Sequence, residues 1–358
     1  MIPSILQSLH SYGCRGLLAA SVLAASAAMA SEPGRGVLVL TSTNDPGGNA
    51  VVVFRLDTGT TPSLSWLNTL PTGGVGGAST NAGVLQFHRD RGAVANFGSN
   101  SVTQLVRDDD EIRVGQTIRQ ASGCVKPDSV ALTDSHLFVV GQNCAESHDW
   151  PSGAPDGAVV HLSDPSAAQI AVGKAWSAVT LASGSVLQLP LNRAGALSGA
   201  VAPVSLPADA NNTPLGEAFW GDVLGFTPAH SPDSFAIVNE ARTVFPITGP
   251  TPPYPTNAPC WVAKGPGNVW YTGNSPGHAI SIFFSDGQGG VFYKSTPLPG
   301  APTDITVSHD DKWLAVIYSA GGDAHIGVYS IDADGDLAPA AISPSVGVAA
   351  FNGVAISD

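Results

Sequence analysis

Hydrophobic and polar positions alternate along this chain in short runs, and the stretch from Ala301 to Pro339 shows the pattern whole. The residues around Ile305 and Val307 alternate as a strand, and Ser308-His309-Asp310-Asp311-Lys312 is a polar turn. Trp313 to Tyr318 reads as a buried strand, Ala320-Gly321-Gly322-Asp323 as a second turn, and Ile326 to Ile331 as a third strand. Asp332-Ala333-Asp334-Gly335-Asp336 then turns into a short fourth strand that starts at Leu337. Period-2 alternation bounded by Gly and Asp clusters is the signature of hairpins.

The unit recurs. Val84 to Ile112 matches it turn for turn, with His88-Arg89-Asp90-Arg91-Gly92 in place of the first turn and Gly98-Ser99-Asn100 in place of the second. Its closing hairpin returns at Phe54 to Leu64, Leu189 to Gly199 and Ile282 to Phe292. A template repeating every 40–50 residues or so predicts a β-propeller, because a four-stranded sheet buries both faces only by stacking radially on copies of itself. The expected fold is therefore all-β, a propeller of seven blades, with six as the alternative. Pairing Gly347 to Ser357 with Val37 to Leu40 would remove the open edge and close the ring. Regularity fails between Gln142 and Ser183, which reads as an irregular insertion over one face or as a degenerate blade. Leu70 to Asn81 is Gly-rich, but no helix follows to make a phosphate cradle, so an inter-blade loop is expected. Pro246 to Pro259 is Pro-rich and reads as loop.

The first residues follow a different pattern. A weakly cationic start, an apolar run from Gly16 to Ala28 and the small-residue site Ala28-Met29-Ala30 predict a signal peptide over residues 1–30. The expected mature chain, residues 31–358, is one propeller domain, secreted to an extracellular or periplasmic space. No later run of about 20 apolar residues predicts a membrane span.

Composition sharpens this picture in three ways. The 41 Gly and 28 Pro supply the turns of an all-β chain. Charged residues are 12% and the net charge is −13, which argues against nucleic acid and anionic membrane as partners. A small-molecule partner, anionic or a lactone, and a monomeric state are the expectation, with no cofactor. Of the Cys beyond the leader, Cys124 and Cys144 stand 20 residues apart (144 − 124) and form the expected disulfide, about 3 kcal/mol on the chain-entropy estimate. Cys260 reads as a buried free thiol. No C-x-x-C occurs and the His are scattered, so no metal site is expected.

Several segments resemble one family. Pro302-x-Asp304-Ile305-x-Val307-Ser308-x-Asp310-x-x-Trp313-Leu314, followed by Asp334-Gly335-x-Leu337, is similar to the lactonase-type seven-bladed propellers. These include 6-phosphogluconolactonases of the propeller type and fungal carboxy-cis,cis-muconate cyclases. More specific likenesses are Ala258-Pro259-Cys260-Trp261-Val262-Ala263, Tyr271-Thr272-Gly273-Asn274, Ile237-Val238-Asn239-Glu240-Ala241 and Asn96 to Val102. The resemblance spans about Val37 to Leu337, with a gap over Gln142 to Ser183. The block after Leu215 is shorter than the family's, and Arg242 to Gly249 lacks its long outward hairpin.

The resemblance implies a ligand at the mouth of the central channel and an enzyme that opens, closes or isomerises a lactone or unsaturated acid by proton transfer. It places Glu240 at the channel-facing end of Phe235 to Val238, as general acid or base, with Arg242 as a planar clamp for a substrate carboxylate. His148 is a further candidate for proton transfer. Its neighbour Asp149 points to the opposite strand face and does not orient it. Asp304, Trp261, Asn274, Glu217 and His230 are the candidate ligand-binding residues. His278 sits in a tight Pro-Gly-His turn, and His88 and His309 occupy the repeat's own turn. Asp332-x-Asp334-Gly335-Asp336 lacks the downstream Glu of a calcium loop, and no Gly-x-Ser-x-Gly elbow occurs. The competing reading is a non-catalytic secreted propeller that binds a partner or ligand through exposed Trp150 and Trp220.

Overall fold

Seven antiparallel sheets account for every strand among the described residues. The computed structural model describes residues 35–79, 82–231, 235–249, 257–348 and 351–358. The signal peptide expected over residues 1–30 lies outside them. Blade 1 takes its innermost strand from the C-terminal end, Asn352–Ser357, followed outward by Val37–Ser42, Ala50–Asp57 and Ser63–Pro71. Blade 2 is Leu85–His88, Arg91–Asn96, Ser101–Asp108 and Glu111–Arg119, and blade 3 is Pro127–Leu132, His136–Gly141, Cys144–Asp149 and Val160–His161. Blade 4 is Ala167–Val172, Trp176–Leu181, Ser185–Pro190 and Ala202–Pro203, and blade 5 is Pro214–Trp220, Val223–Pro228, Phe235–Val238 and Val244–Ile247. Blade 6 is Pro259–Lys264, Val269–Asn274, Ala279–Phe284 and Val291–Pro297. Blade 7 is Ala301–Val307, Trp313–Ala320, Asp323–Ile331 and Leu337–Ile342, with Gly347–Val348 added against its third strand. The innermost strands touch one another in an unbroken circuit, which makes the seven sheets a closed ring.

Each gap between neighbouring blades holds one apolar cluster, seven in all. The second strand of blade 1 shows why. Leu38 and Leu40 pack toward blade 2, and Val39, on the opposite face, packs toward blade 7. Successive side chains on a strand point to opposite faces, so a sheet filling two gaps needs apolar residues at every inner position. That is why the second strands read as continuous runs, as in His136–Gly141, buried throughout. Outer strands such as Val291–Pro297 alternate exposed and half-buried residues.

Both chain ends make the closing seam. Asn352–Ser357 pairs antiparallel with Val37–Ser42, in the register Leu38 to Ser357 through Thr41 to Val354. The buried Arg107 side chain of blade 2 locks that seam. Its guanidinium donates to the carbonyls of Ser357 and Gly36 and, at 2.7 Å, to that of Asp109. Burial lowers its pKa to about 10.

The stretch 142–183, expected as an insertion or a degenerate blade, is neither. It holds the outer two strands of blade 3 and the inner two of blade 4. Its polar residues hid the pattern, because Glu146 and His148 occupy buried strand positions that other blades give to apolar side chains. The segment 242–249 also holds a strand, Val244–Ile247, so Pro246 stands on an outer edge rather than in loop. Cys124 and Cys144 form the expected disulfide, with Cα atoms 5.6 Å apart. Cys260 is free and half-buried. Among the described residues no helix is long and apolar enough to cross a membrane.

Candidate active site in the central channel

A shared irregularity shapes the inside of the ring. In six blades the register between the innermost strand and its neighbour slips once, at Pro127/Ser129, Ala167/Gln169, Pro214/Glu217, Pro259/Trp261, Pro302/Asp304 and opposite Thr41/Ser42. A bulge of this kind re-aims the next side chain. Proline precedes four of these slips, where the extra residue leaves its missing N–H unneeded.

The side chains just past the bulges mostly reach sideways to adjoining blades. Ser129 accepts from the Ile170 N–H (3.3 Å) and donates to the Gly83 carbonyl (3.3 Å). The Gln169 amide brackets the Glu217 backbone, donating to its carbonyl at 2.9 Å and accepting from its N–H at 2.8 Å. The Trp261 indole donates to the Pro302 carbonyl at 2.8 Å. Asp304 accepts from the Val354 N–H at 3.2 Å, with its other oxygen on the Ile305 N–H at 2.9 Å.

Glu217 breaks this series. Its side chain is 1% exposed, yet neither carboxylate oxygen completes a hydrogen bond among the described residues. Burial pushes its pKa well above the usual carboxylate range, opposed by the backbone N–H groups of Ala171 and Thr180 that face it without closing a bond of good geometry. The preceding Gly216 allows the close approach of blade 6, since a Cβ there would lie 2.7 Å from the Cys260 carbonyl oxygen.

Glu217 is among the residues that wall a cavity of about 250 Å³, formed by the later halves of six innermost strands. Gln86, His88, Gln169, Thr306 and Lys264 are its other polar residues, between apolar walls that include Val130, Ile170 and Val262. Lys264 ends the innermost strand of blade 6. Its ammonium donates to the carbonyls of Gly265 (2.6 Å) and Gly267 (2.7 Å) and lies 5.2 and 5.3 Å from the ring centres of Trp220 and Trp270. Burial lowers its pKa to about 8. Asp304, a ring residue on the innermost strand of blade 7, is pushed up to about 7 by burial, against the N–H groups of Val354, Ile305 and Gly83.

The expected site residues fall into two groups. Glu217 and Asp304 stand on innermost strands, as does Trp261, whose indole is spent on blade 7. The others lie elsewhere. Glu240 is exposed, in the turn between the third and outer strands of blade 5, and so is not at the channel-facing end of its strand. Arg242, beside it, has a left-handed backbone (φ 64°). Its guanidinium lies 4.1 Å from the centre of the Trp176 ring and donates to the Glu240 carbonyl at 3.1 Å. This pair braces blade 5 on blade 4 instead of clamping a substrate in the channel.

His148 lies on the third strand of blade 3, fully buried, rather than in a surface loop. Asn274 is fully engaged inside blade 6, donating to Asn257 and Ser281 and accepting from Thr272. His230 is exposed in the loop between the second and third strands of blade 5, with Nδ1 3.0 Å from the Thr213 hydroxyl. Trp150 is buried between blades 2 and 3, so only Trp220 of the two expected exposed aromatics is exposed.

Sequence reasoning missed Gln169, Gln86, Lys264 and Glu146. Alignment of the residues that follow each Pro127-like position would have brought out Gln169. The i, i+2 spacing of Glu146 and His148 on one strand face would have paired them.

No protein-family description matches this chain, and no curated protein matches it. Solved structures do. A Lactobacillus plantarum protein superposes with a TM-score of 0.65 at 15% identity, over 90% of this chain and 98% of its own. A Bacteroides uniformis protein provisionally named a 6-phosphogluconolactonase gives 0.65 at 14%, over 90% and 99%. The periplasmic gluconolactonase of Pseudomonas aeruginosa gives 0.64 at 15%, over 90% and 99%. The fold is that of the lactonase-type seven-bladed propellers. At these identities the likeness is one of fold.

Proposed function

We propose that the chain is a secreted, monomeric hydrolase of small lactones, working in the central channel with Glu217 as general acid and base. The observation that carries this reading is the buried Glu217 carboxyl, without a hydrogen-bond partner and on a strand that walls a polar cavity. A buried polar group left unbonded costs stability, and natural chains keep such groups mostly where function requires them.

Ring opening needs little else. As a carboxylate, Glu217 takes a proton from water as that water attacks the lactone carbonyl. As the acid so formed, it returns the proton to the ring oxygen when the acyl C–O bond breaks. Burial, which raises its pKa, favours the acid that it must become in the second step. Lys264 brings positive charge to the same cavity for an anionic substrate or the developing oxyanion. A volume of about 250 Å³ fits a single-ring molecule. Read backwards, the same proton transfers close a ring, so muconate-type cyclisation belongs to this reading as its variant. The Cys124–Cys144 disulfide is consistent with an oxidising compartment.

The test is turnover of a panel of lactones and muconate-type acids by the wild type and by Glu217→Gln. The expected result is lactone turnover that falls about 10²–10⁴-fold in the variant. Full activity in Glu217→Gln would remove Glu217 from the chemistry. Silence of the folded wild type across the panel would leave a non-catalytic binding propeller as the better account.

A further inference from the structure

A second buried group of chemistry-bearing side chains lies away from the channel, between blades 2 and 3. Cys144, Glu146 and His148 alternate along the third strand of blade 3 and share one face. That face turns to blade 2. Glu146 and His148 pair across the sheet with Val139 and Leu137, which pack in the cluster between these two blades.

The hydrogen bonds fix what each side chain presents. His148 Nδ1 faces the Gly153 carbonyl at 3.1 Å. A carbonyl can only accept, so Nδ1 carries a proton and Nε2 is the nitrogen left to face Glu146. Glu146 Oε2 accepts the Ala121 N–H at 2.8 Å, which leaves Oε1. Nε2 and Oε1 lie 3.3 Å apart. Both side chains are at least 97% buried (1% and 3% exposed), and neither atom completes a hydrogen bond. Gln104 pairs with Ala93 of the same interface cluster, and its amide nitrogen is also buried without a partner.

We propose that Glu146 and His148 bind a divalent transition cation of the zinc class. An Nε2 that carries no proton sets its lone pair against a carboxylate oxygen, an arrangement that a cation between them relieves. Two ligands about 2.0–2.2 Å from one tetrahedral ion lie about 3.4 Å apart, close to the spacing of these atoms. Each ligand also has the outer hydrogen bond such sites use. The imidazole gives its other N–H to a backbone carbonyl, and the carboxylate is held by a backbone amide. One nitrogen and one oxygen donor suit zinc, cobalt(II) or copper(II) over calcium or magnesium. The remaining coordination positions fall to water or to an amide oxygen. The Cys124–Cys144 disulfide keeps its sulfurs out of the ligand set while tying the Ala121 loop to the strand that carries Glu146.

The experiment uses the untagged full chain, oxidised and stripped with EDTA, titrated with cobalt(II) while its visible absorption is followed, then with zinc in competition. One cobalt(II) per chain with a ligand-field band, displaced by zinc, is expected. His148→Gln and Glu146→Gln should each weaken binding at least about tenfold, while the exposed His161→Gln leaves it unchanged. Thermal unfolding should shift upward with zinc in the wild type and in His161→Gln only. Glu146→Gln retains an oxygen for the Ala121 amide, so it reports on the site if His148→Gln does not fold. A wild type that takes up no cobalt(II), or a band that survives Glu146→Gln at full affinity, overturns the proposal and makes the pair a plain imidazolium–carboxylate contact.

Discussion

Glu217 of blade 5 and Asp304 of blade 7 stand at the same point of the repeat, each the first paired residue past the bulge of an innermost strand. Both are buried carboxyls with raised pKa values. Asp304 ties its blade to the next through the Val354 N–H, across the seam where the chain ends meet. Glu217 ties nothing. Its backbone is already bracketed by Gln169, and its carboxyl, on a strand that walls the cavity, closes no hydrogen bond. One position of the repeat thus serves as a strut in one blade and stays chemically free in another. The strut contributes to closure of the ring, whereas a buried carboxyl that closes no hydrogen bond costs stability.

The comparison breaks first at activity. Glu217→Gln should lose about 10²–10⁴-fold in kcat and fold about as stably as the wild type, because the amide matches the carboxyl in size and the carboxyl closes no hydrogen bond that the change would break. A stability loss with activity kept would make Glu217 a strut as well, as a calorimetric scan beside the turnover assay would show.

The next effect is on pH and stability. The Asp304 pKa is raised from 3.8 to about 7. Its protonated form is thus favoured by folding. The contribution is fully present below about pH 4 and is lost as pH rises through about 7. It amounts to up to about 4 kcal/mol. Denaturant unfolding between pH 5 and 8 should therefore show stability falling as pH rises, and Asp304→Asn should flatten that slope. An unchanged slope would mean that Asp304 keeps an ordinary carboxylate pKa.

The smallest effect concerns the bracket. Gln169→Ala strands the backbone N–H and carbonyl of Glu217 and should cost about 1–3 kcal/mol. With Glu217 in the proposed role, turnover should fall too, since its carboxyl loses its orientation. Loss of stability with kcat unchanged would separate the bracket from the chemistry.

Much of this molecule was legible in the chain. Alternation and the turn residues of Ala301 to Pro339 marked the blade, its copies set the ring, and Gly347 to Ser357 was readable as the closing strand. The stretch 142–183 was not, because buried polar residues on strands imitate loop in any pattern built on hydrophobicity. The candidate site was half legible. Glu217 and Asp304 could be listed from sequence as ligand-binding candidates, but the resemblance assigns the catalytic role to Glu240. Only the register of Phe235–Val238, third strand rather than innermost, moves Glu240 out to a turn.

The sequence by itself determined the strands, the repeat and the ring, because these follow from short-range alternation and turn chemistry. Tertiary structure decided which polar residues are spent and which are free. A carboxyl is a strut or a reactive group according to what the neighbouring blade offers it. That neighbour lies some 40–50 residues away in the chain, beyond the reach of any local pattern.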